Sequence, residues 1–290
     1  MKLGFWTLGM PDWPNAEVAR RAAELGYRGV DLRCARRDGA PSEGFNLSLE
    51  SSKQEIDDTR AVFDEAGIEI SSMLCYNTPI YRGGEPHWSD YQGDVVLHAR
   101  LAAEVGAPAI RVVIDAPPAS DMWDSHLTQA WQAIARGLDQ VSGVKAVIEN
   151  HPGRASGEQL LAAAERAGDP RIGVEFSPEH SLVMQENILE LIDHYTDYIF
   201  QICLADRRVV QDGLADFDGR YYYVRYESVA VGSGMLPVAD MLERLGNKGF
   251  NGYISLKWEK SSTFGQHLPS GEIALRDYMT TMRTYPEYWE

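Results

Sequence analysis

The chain has 290 residues, 44% of them hydrophobic and 24% charged, which suits a sizeable core in one large domain or two small ones. A formal net charge of -16 repels phosphate backbones and anionic lipids, so neither nucleic acid nor a membrane is an expected partner. No apolar run approaches about 20 residues, and the opening MKLGFWTLGMPDWP lacks the apolar core and small-residue cleavage site of a secretory signal. The three cysteines, Cys34, Cys75 and Cys203, are widely spaced and form no CxxC pair, as expected of free thiols in a reducing cytoplasm.

Along the chain, short β-branched or alternating runs are each followed by a polar loop and an amphipathic helical stretch. KLGFWTL (2–8) predicts the first strand and AEVARRAAELG (16–26) the first helix. GVDLRC (29–34) precedes KQEIDDTRAVFDEAG (53–67), and IEISSMLC (68–75) precedes GDVVLHARLAAEVG (93–106). AIRVVID (109–115) precedes TQAWQAIARGLDQVS (128–142), and KAVIENH (145–151) precedes GEQLLAAAERAG (157–168). RIGVEFS (171–177) leads to NILELIDHYTD (187–197), and YIFQICLAD (198–206) leads to LPVADMLERLG (236–246). GYISLKWE (252–259) and EIALRDYMTTMRTY (272–285) close the series. Gly26, Gly67, Gly106, Gly168 and Gly246 stand where helix C-caps belong.

Alternating strands and helices predict an α/β protein with a parallel sheet, and the length fits a closed (β/α)8 TIM barrel of about 250 residues. ELGYRGVDL (24–32) and RLGNKGFNGYISL (244–256) resemble one another, as copies of one βα unit would. No linker rich in Pro, Gly or Ser divides the chain, so residues 1–290 are read as a single domain. An open doubly wound sheet would want a glycine-rich turn after the first strand, and LGMPDWP is not one. The longest irregular stretches, 76–89, 115–124 and 207–235, all follow strands, on the face where barrels carry function.

With the strands placed, VIENHPG (147–153), RIGVEFSPEHSLV (171–183), IFQICLADRR (199–208) and VGSGMLPVADMLERLGNKGFNGYISLKWE (231–259) resemble segments of the xylose-isomerase-like TIM barrel family, the sugar phosphate isomerase/epimerase superfamily. The resemblance implies an enzyme that isomerises, epimerises or dehydrates a small polyhydroxylated carbonyl compound, and a homodimer or homotetramer. It also implies one divalent metal, Mn, Mg or Zn, held by Glu, Asp, His and Glu at the ends of strands five to eight. Matched position by position, this chain offers Glu149, Ser177, Cys203 and Lys257. One ligand of four remains, and a protonated lysine repels a cation. The expectation is therefore no metal cofactor, with Lys257 supplying part of a dication's electrostatic role. A zinc set of Glu149, Glu175, His180 and Cys203 is the alternative.

For catalysis the reading names Glu149, Lys257, His180 and Glu175. The competing reading of Glu149 and Lys257 is a plain buried salt bridge, and Lys257 can act by charge or as a Schiff-base amine. Glu175 shares strand parity with Ser177 and is either an acid/base group or a partner of Lys257. His180 matches a family position that contacts substrate. For substrate binding the reading names His151, Arg207, Asp206, Ser177 and Cys203, with Trp6 and Tyr76 as aromatic walls for a sugar-like molecule. His151 follows Asn150 in the family segment and is either catalytic or a support for its neighbours. Arg207 can grip a carboxylate or phosphate, or merely form a surface ion pair with Asp206 or a nearby acid. Glu259 is expected at the rim. Trp13, Trp88, Trp123 and the run YYYVRY (221–226) are further candidates for the mouth, and YYYVRY and TYPEYWE (284–290) for an oligomer contact. A non-catalytic sugar-binding barrel is the competing reading. Nuclease activity of the endonuclease IV kind is disfavoured by the acidic charge and by only seven histidines.

Overall fold

The computed structural model describes residues 1–35, 45–79, 81–82, 85–117, 119–210, 215–217, 220–222, 225–260, 265 and 267–290. Eight parallel strands close into a barrel: β1 (Lys2–Trp6), β2 (Gly29–Arg33), β3 (Glu69–Leu74), β4 (Ala109–Val112), β5 (Lys145–Glu149), β6 (Ile172–Phe176), β7 (Ile199–Leu204) and β8 (Tyr253–Leu256). Each neighbours its sequence successor, and β8 returns to pair with β1, Lys2 opposite Tyr253 and Phe5 opposite Leu256. Around them run α1 (Asn15–Leu25), α2 (Lys53–Ala66), α3 (Trp88–Val105), α4 (Trp123–Leu138), α5 (Gly157–Ala167), α6 (Pro178–Val183), α7 (Ile188–Tyr195), α8 (Val238–Asn247) and α9 (Gly271–Met282). Among the described residues no helix is long and apolar enough to cross a membrane.

Local chemistry sets the helix ends. Ser52 with Glu55 and Ser156 with Gln159 form reciprocal capping boxes that satisfy backbone donors at the starts of α2 and α5. Gly26, Gly67, Gly106 and Gly168 take left-handed C-cap conformations as expected. Gly246 does not: it lies inside α8, and the turn falls at Gly249, with φ 74°. All eight strands are shorter than their sequence patterns, because the ladder stops where the barrel mouth opens and the last residues of each pattern turn into loops. α3 and α4 each begin five residues before the apolar period, at Trp88 and Trp123.

The barrel seam is reinforced from outside. The Tyr278 hydroxyl of α9 donates to the Ile254 carbonyl at 3.0 Å, and its ring stacks on Tyr27, whose hydroxyl donates to Leu275 O at 2.8 Å. Tyr285, Tyr288 and Trp289 pack against the same core, and Glu290 N–H donates to Met1 O. The aromatic groups of TYPEYWE, expected to anchor an oligomer, are therefore engaged within their own chain. Trp13, Trp88 and Trp123 also pack against the main core that runs between strands and helices, rather than with the small cluster of Trp6, Leu8, Leu74, Cys203 and Tyr76.

Among the described residues, the long connection after β7 forms two short antiparallel ladders. Asp206–Val210 pairs antiparallel with Arg225–Val229, and Ala215–Phe217 with Arg220–Tyr222. Of the aromatic run YYYVRY, Tyr221, Tyr222, Arg225 and Tyr226 lie in these short strands, and residues 223–224 lie outside the described residues.

The barrel interior is polar where branched apolar layers are usual. A bulge in β3 opposite Val30/Asp31 leaves Ser71 unpaired, so both Ser71 and Ser72 donate to Asp31 Oδ1, at 2.8 and 2.6 Å. Gln201 of β7 reaches across the lumen to the same oxygen. A second irregularity, at Val174/Glu175, skips Phe200, whose ring lies on Gly173 at the barrel's N-terminal end. A Cβ on Gly173 would stand 2.5 Å from that ring's Cγ, close to the Phe200 backbone. Gly173→Ala should therefore cost about 1–3 kcal/mol by overpacking and lower the melting temperature. An unchanged Tm would show that Phe200 swings aside freely.

Candidate active site at the C-terminal mouth of the barrel

Lys257 extends the β8 ladder by one residue, its N–H donating to Leu204 O at 2.9 Å, which fixes the side chain's direction into the lumen. The ammonium meets Glu149 Oε1 at 2.9 Å, Glu179 Oε1 at 3.2 Å and Glu259 Oε1 at 3.3 Å, and donates to His180 Nε2 at 3.0 Å. Trp6 places its ring face 5.3 Å away. Burial works against the charged amine, but the three carboxylates prevail and hold Lys257 well above the ordinary lysine range. It is a permanent cation.

Arg111, on β4, is a second one. Its guanidinium meets Glu149 Oε2 at 2.9 Å and lies 3.7 Å from Glu175, with the rings of Trp6 and Tyr76 at 5.1 and 4.7 Å. Glu149 is thus gripped from both sides. Burial alone would raise it, yet Lys257 and Arg111 hold it far below the usual carboxylate range. Glu179 follows the same logic, with burial outweighed by Arg207 and Lys257. Glu175 goes the other way: buried and facing Glu149 and Asp31, it is pushed well up into the protonated form. Burial also raises Asp31. Three cations, Lys257, Arg111 and Arg207, then face three carboxylates, Glu149, Glu179 and Glu259, so the network is close to neutral.

His180 donates from Nδ1 to the Asn150 carbonyl at 2.7 Å, which leaves Nε2 as an acceptor. Burial first, then Lys257 and His151, pushes it well down, so the ring is neutral. His151 packs edge-on against it with ring centroids 4.5 Å apart, and burial lowers it as well. Asn150 bridges β5 to the helix α6, accepting from Ser177 N and donating to Ser177 O and Ser181 Oγ.

Most of the residues singled out from the sequence are brought together here: Glu149, Lys257, His180, Glu175, Trp6, Tyr76, His151, Ser177 and Cys203. The Cys203 thiol lies 3.6 Å from Glu149 Oε1, and burial keeps it protonated. The Asp206 carboxylate, fully buried, accepts from the N–H groups of Arg207, Gly232, Gly234 and Leu236 and so staples the glycine loop before α8. Arg207 does not pair through its guanidinium with Asp206 but with Glu179 and, at 3.2 Å, Glu259. Glu259 is accordingly part of the cage rather than a simple rim group.

The sequence reading missed Arg111 and Glu179. Arg111 was visible as a charged residue inside AIRVVID, a strand expected to be buried, where a cation needs a carboxylate nearby. Glu179 lies on α6, a short helix read as a loop, so strand parity gave no hint of its direction.

The donor set does not fit a hard dication. Ser177 and Cys203 are poor ligands for Mg²⁺ or Mn²⁺, and the Lys257 ammonium stands at hydrogen-bond distance from Glu149. The alternative zinc set is interrupted by the same ammonium, lodged between Glu149 and His180.

A family model described as xylose isomerase-like TIM barrel matches residues 19–282, and the chain belongs to that family. No curated protein sequence matches it significantly. Among solved structures, the IolI protein with a bound zinc atom is 17% identical over 99% of both chains, with a TM-score of 0.75. D-Psicose 3-epimerase from Clostridium cellulolyticum H10, solved with D-tagatose, is 11% identical over 99% of both chains, with a TM-score of 0.70. A probable 3-DHS dehydratase from Bacillus anthracis is 10% identical over 98% of this chain and 99% of its own, with a TM-score of 0.69.

The depressed carboxylates have a consequence for stability. Glu149 and Glu179 contribute fully above about pH 5, and the contribution is lost as pH falls through their lowered values; Glu175, raised instead, opposes folding at neutral pH and recovers on acidification. Glu149→Gln should cost about 3–5 kcal/mol at pH 7 by leaving Lys257 and Arg111 short of a partner. Thermal unfolding from pH 7 down to about pH 3 should show the gap to the unsubstituted protein closing below pH 5. A gap independent of pH would contradict the ionised Glu149.

Proposed function

We propose that the protein is a sugar or polyol isomerase or epimerase, or a related lyase, that moves a proton next to a carbonyl group and needs no divalent metal at the barrel mouth. The observation that carries this reading is the Lys257 ammonium, fixed with Arg111 on opposite oxygens of Glu149 at the mouth of a barrel whose family uses this face for such chemistry. Fixed cations in a dry site stabilise an enediolate without reorganising, and one such group is worth roughly 3–4 kcal/mol.

The proton relay falls to neutral groups. Glu149 is too weak a base, clamped as it is. The imidazoles of His180 and His151 are uncharged acceptors, and an imidazolium formed at His180 would have Glu179 and Glu149 at 3.4 and 3.6 Å. Glu175, protonated, is a donor. Lys257 acts by charge, since three carboxylates keep its nitrogen protonated and unavailable for a Schiff base. The epimerase solved with D-tagatose and the probable 3-DHS dehydratase described above support the reaction class.

A second reading has its own support. Every charge in the cage is met by another side chain of this protein, as in a purely structural network, which suits a barrel that binds a sugar-like molecule without turnover. The two are separated by incubating the protein in D2O with a panel of ketohexoses and inososes. Exchange of carbon-bound hydrogen followed by NMR, falling about 10²–10³-fold in Lys257→Met with the fold intact, supports the enzyme. Full exchange by Lys257→Met would overturn the role given to Lys257. Thermal shifts with these compounds but no exchange would favour the binding barrel.

Metal independence makes a separate prediction. EDTA should leave activity unchanged, and Glu149→Gln should not alter metal content measured by elemental analysis. Activity abolished by EDTA and restored by Mn²⁺ would refute it.

A family barrel is expected to pair, and we retain a homodimer or homotetramer as part of the proposal.

A further inference from the structure

One more set of reactive side chains is gathered away from the lumen. Cys34 follows β2, Cys75 follows β3 and His98 lies on α3; a ligand atom from each lies within 4.8 Å of the other two. All three side chains are buried, and no disulfide joins the cysteines. The residues beside them in sequence, Arg33 and Tyr76, meet one another at 5.2 Å, and Tyr76 packs with the lumen cluster. Both thiols instead belong to the core between strands and helices, together with Val95, Ala99 and Ala102 of α3. His98 donates from Nδ1 to Asp94 O at 2.8 Å, which leaves Nε2 as the nitrogen able to bind a metal.

We propose that Cys34, Cys75 and His98 form a binding site for one thiophilic d10 cation, Zn²⁺ or Cu⁺, which ties the ends of β2 and β3 to α3. Two sulfurs and one imidazole nitrogen select soft or borderline ions over Mg²⁺, Mn²⁺ or Ca²⁺. Charge is also balanced: Zn²⁺ with two thiolates and a neutral imidazole is neutral overall, and Cu⁺ reaches neutrality with one thiolate and one thiol, so neither complex puts a net charge in an apolar core. Two thiol protons leave to solvent for each Zn²⁺ bound, and no oxidant or reductant is needed. Tetrahedral zinc with S and N ligands has donor separations of about 3.4–3.8 Å, so the present cluster need contract by only about 1 Å. The site is separate from the Lys257 cage and does not depend on the catalytic reading.

The test uses the full chain, reduced and stripped with a chelator. Zn²⁺ is titrated against a chromophoric zinc chelator, Cu⁺ against a Cu⁺-specific one, and Co²⁺ serves as an optical probe. We expect one equivalent of Zn²⁺ or Cu⁺ per chain, sulfur-to-cobalt charge-transfer bands with Co²⁺, and a Tm raised by several degrees on metal addition. Cys34→Ser and Cys75→Ala should each weaken binding at least 100-fold and remove the bands, whereas Cys203→Ala should keep them. If the cysteine variants fail to fold, the bands and the thermal shift of the unsubstituted chain decide. Failure of the reduced protein to compete with either chelator, or binding that survives both cysteine substitutions, would overturn the site.

Discussion

An ammonium and a carboxylate taken from water into a protein interior each lose several kcal/mol of hydration, and they recover it only through close, well-aligned partners. Lys257 and Glu149 do so at 2.9 Å, nearly enclosed by the barrel. The surrounding groups follow from that pair. Glu149 has a second oxygen to satisfy, and Arg111 meets it. Lys257 has two further protons to place; His180 Nε2 accepts one, and Glu179 and Glu259 stand at ion-pair distance. Glu179 in turn holds Arg207. A surplus carboxylate would unbalance the site, and Glu175 escapes that by remaining protonated.

The scaffold puts these groups in place through strand ends rather than loops. Glu149 closes β5 paired with β6, Lys257 prolongs the β8 ladder against β7, and Arg111 sits within β4, paired on both sides. Beneath them the β3 bulge aims two consecutive hydroxyls at Asp31, which gives the lumen a polar floor instead of a greasy one. Trp6 and Tyr76 then serve as walls whose faces lie against the cations, a use of aromatic rings that orders charge as well as excluding water.

The barrel was legible because periodicity alternates cleanly along the chain, and the family segments then located Glu149, Lys257 and His180. Parity rules reached Glu175, whose strand is regular on that side. They failed at Glu179, because proline at the start of α6 turns the chain into a helix just past the strand. Nor could they supply the partners of Asp206 and Arg207, since a carboxylate that collects four backbone donors and an arginine that crosses to α6 depend on chain segments distant in sequence. The approach of Cys34, Cys75 and His98 was equally invisible: the three come from two strand ends and a helix, with no spacing that a motif would mark.

The seam between β1 and β8 joins the opening residues of the chain to residues more than 250 positions later. During synthesis, β1 can pair with β2 early, but its other edge stays open until β8 has emerged. An open, apolar parallel edge is a hazard for misassembly while it waits. Tyr278, stacked on Tyr27 and bonded to the β8 backbone, arrives with α9 shortly after β8 and draws α1 to the new strand. The C-terminal helix is thus a latch for the ring: the charge cage, which needs β4 through β8 in register, is completed only when the last part of the chain has come into place.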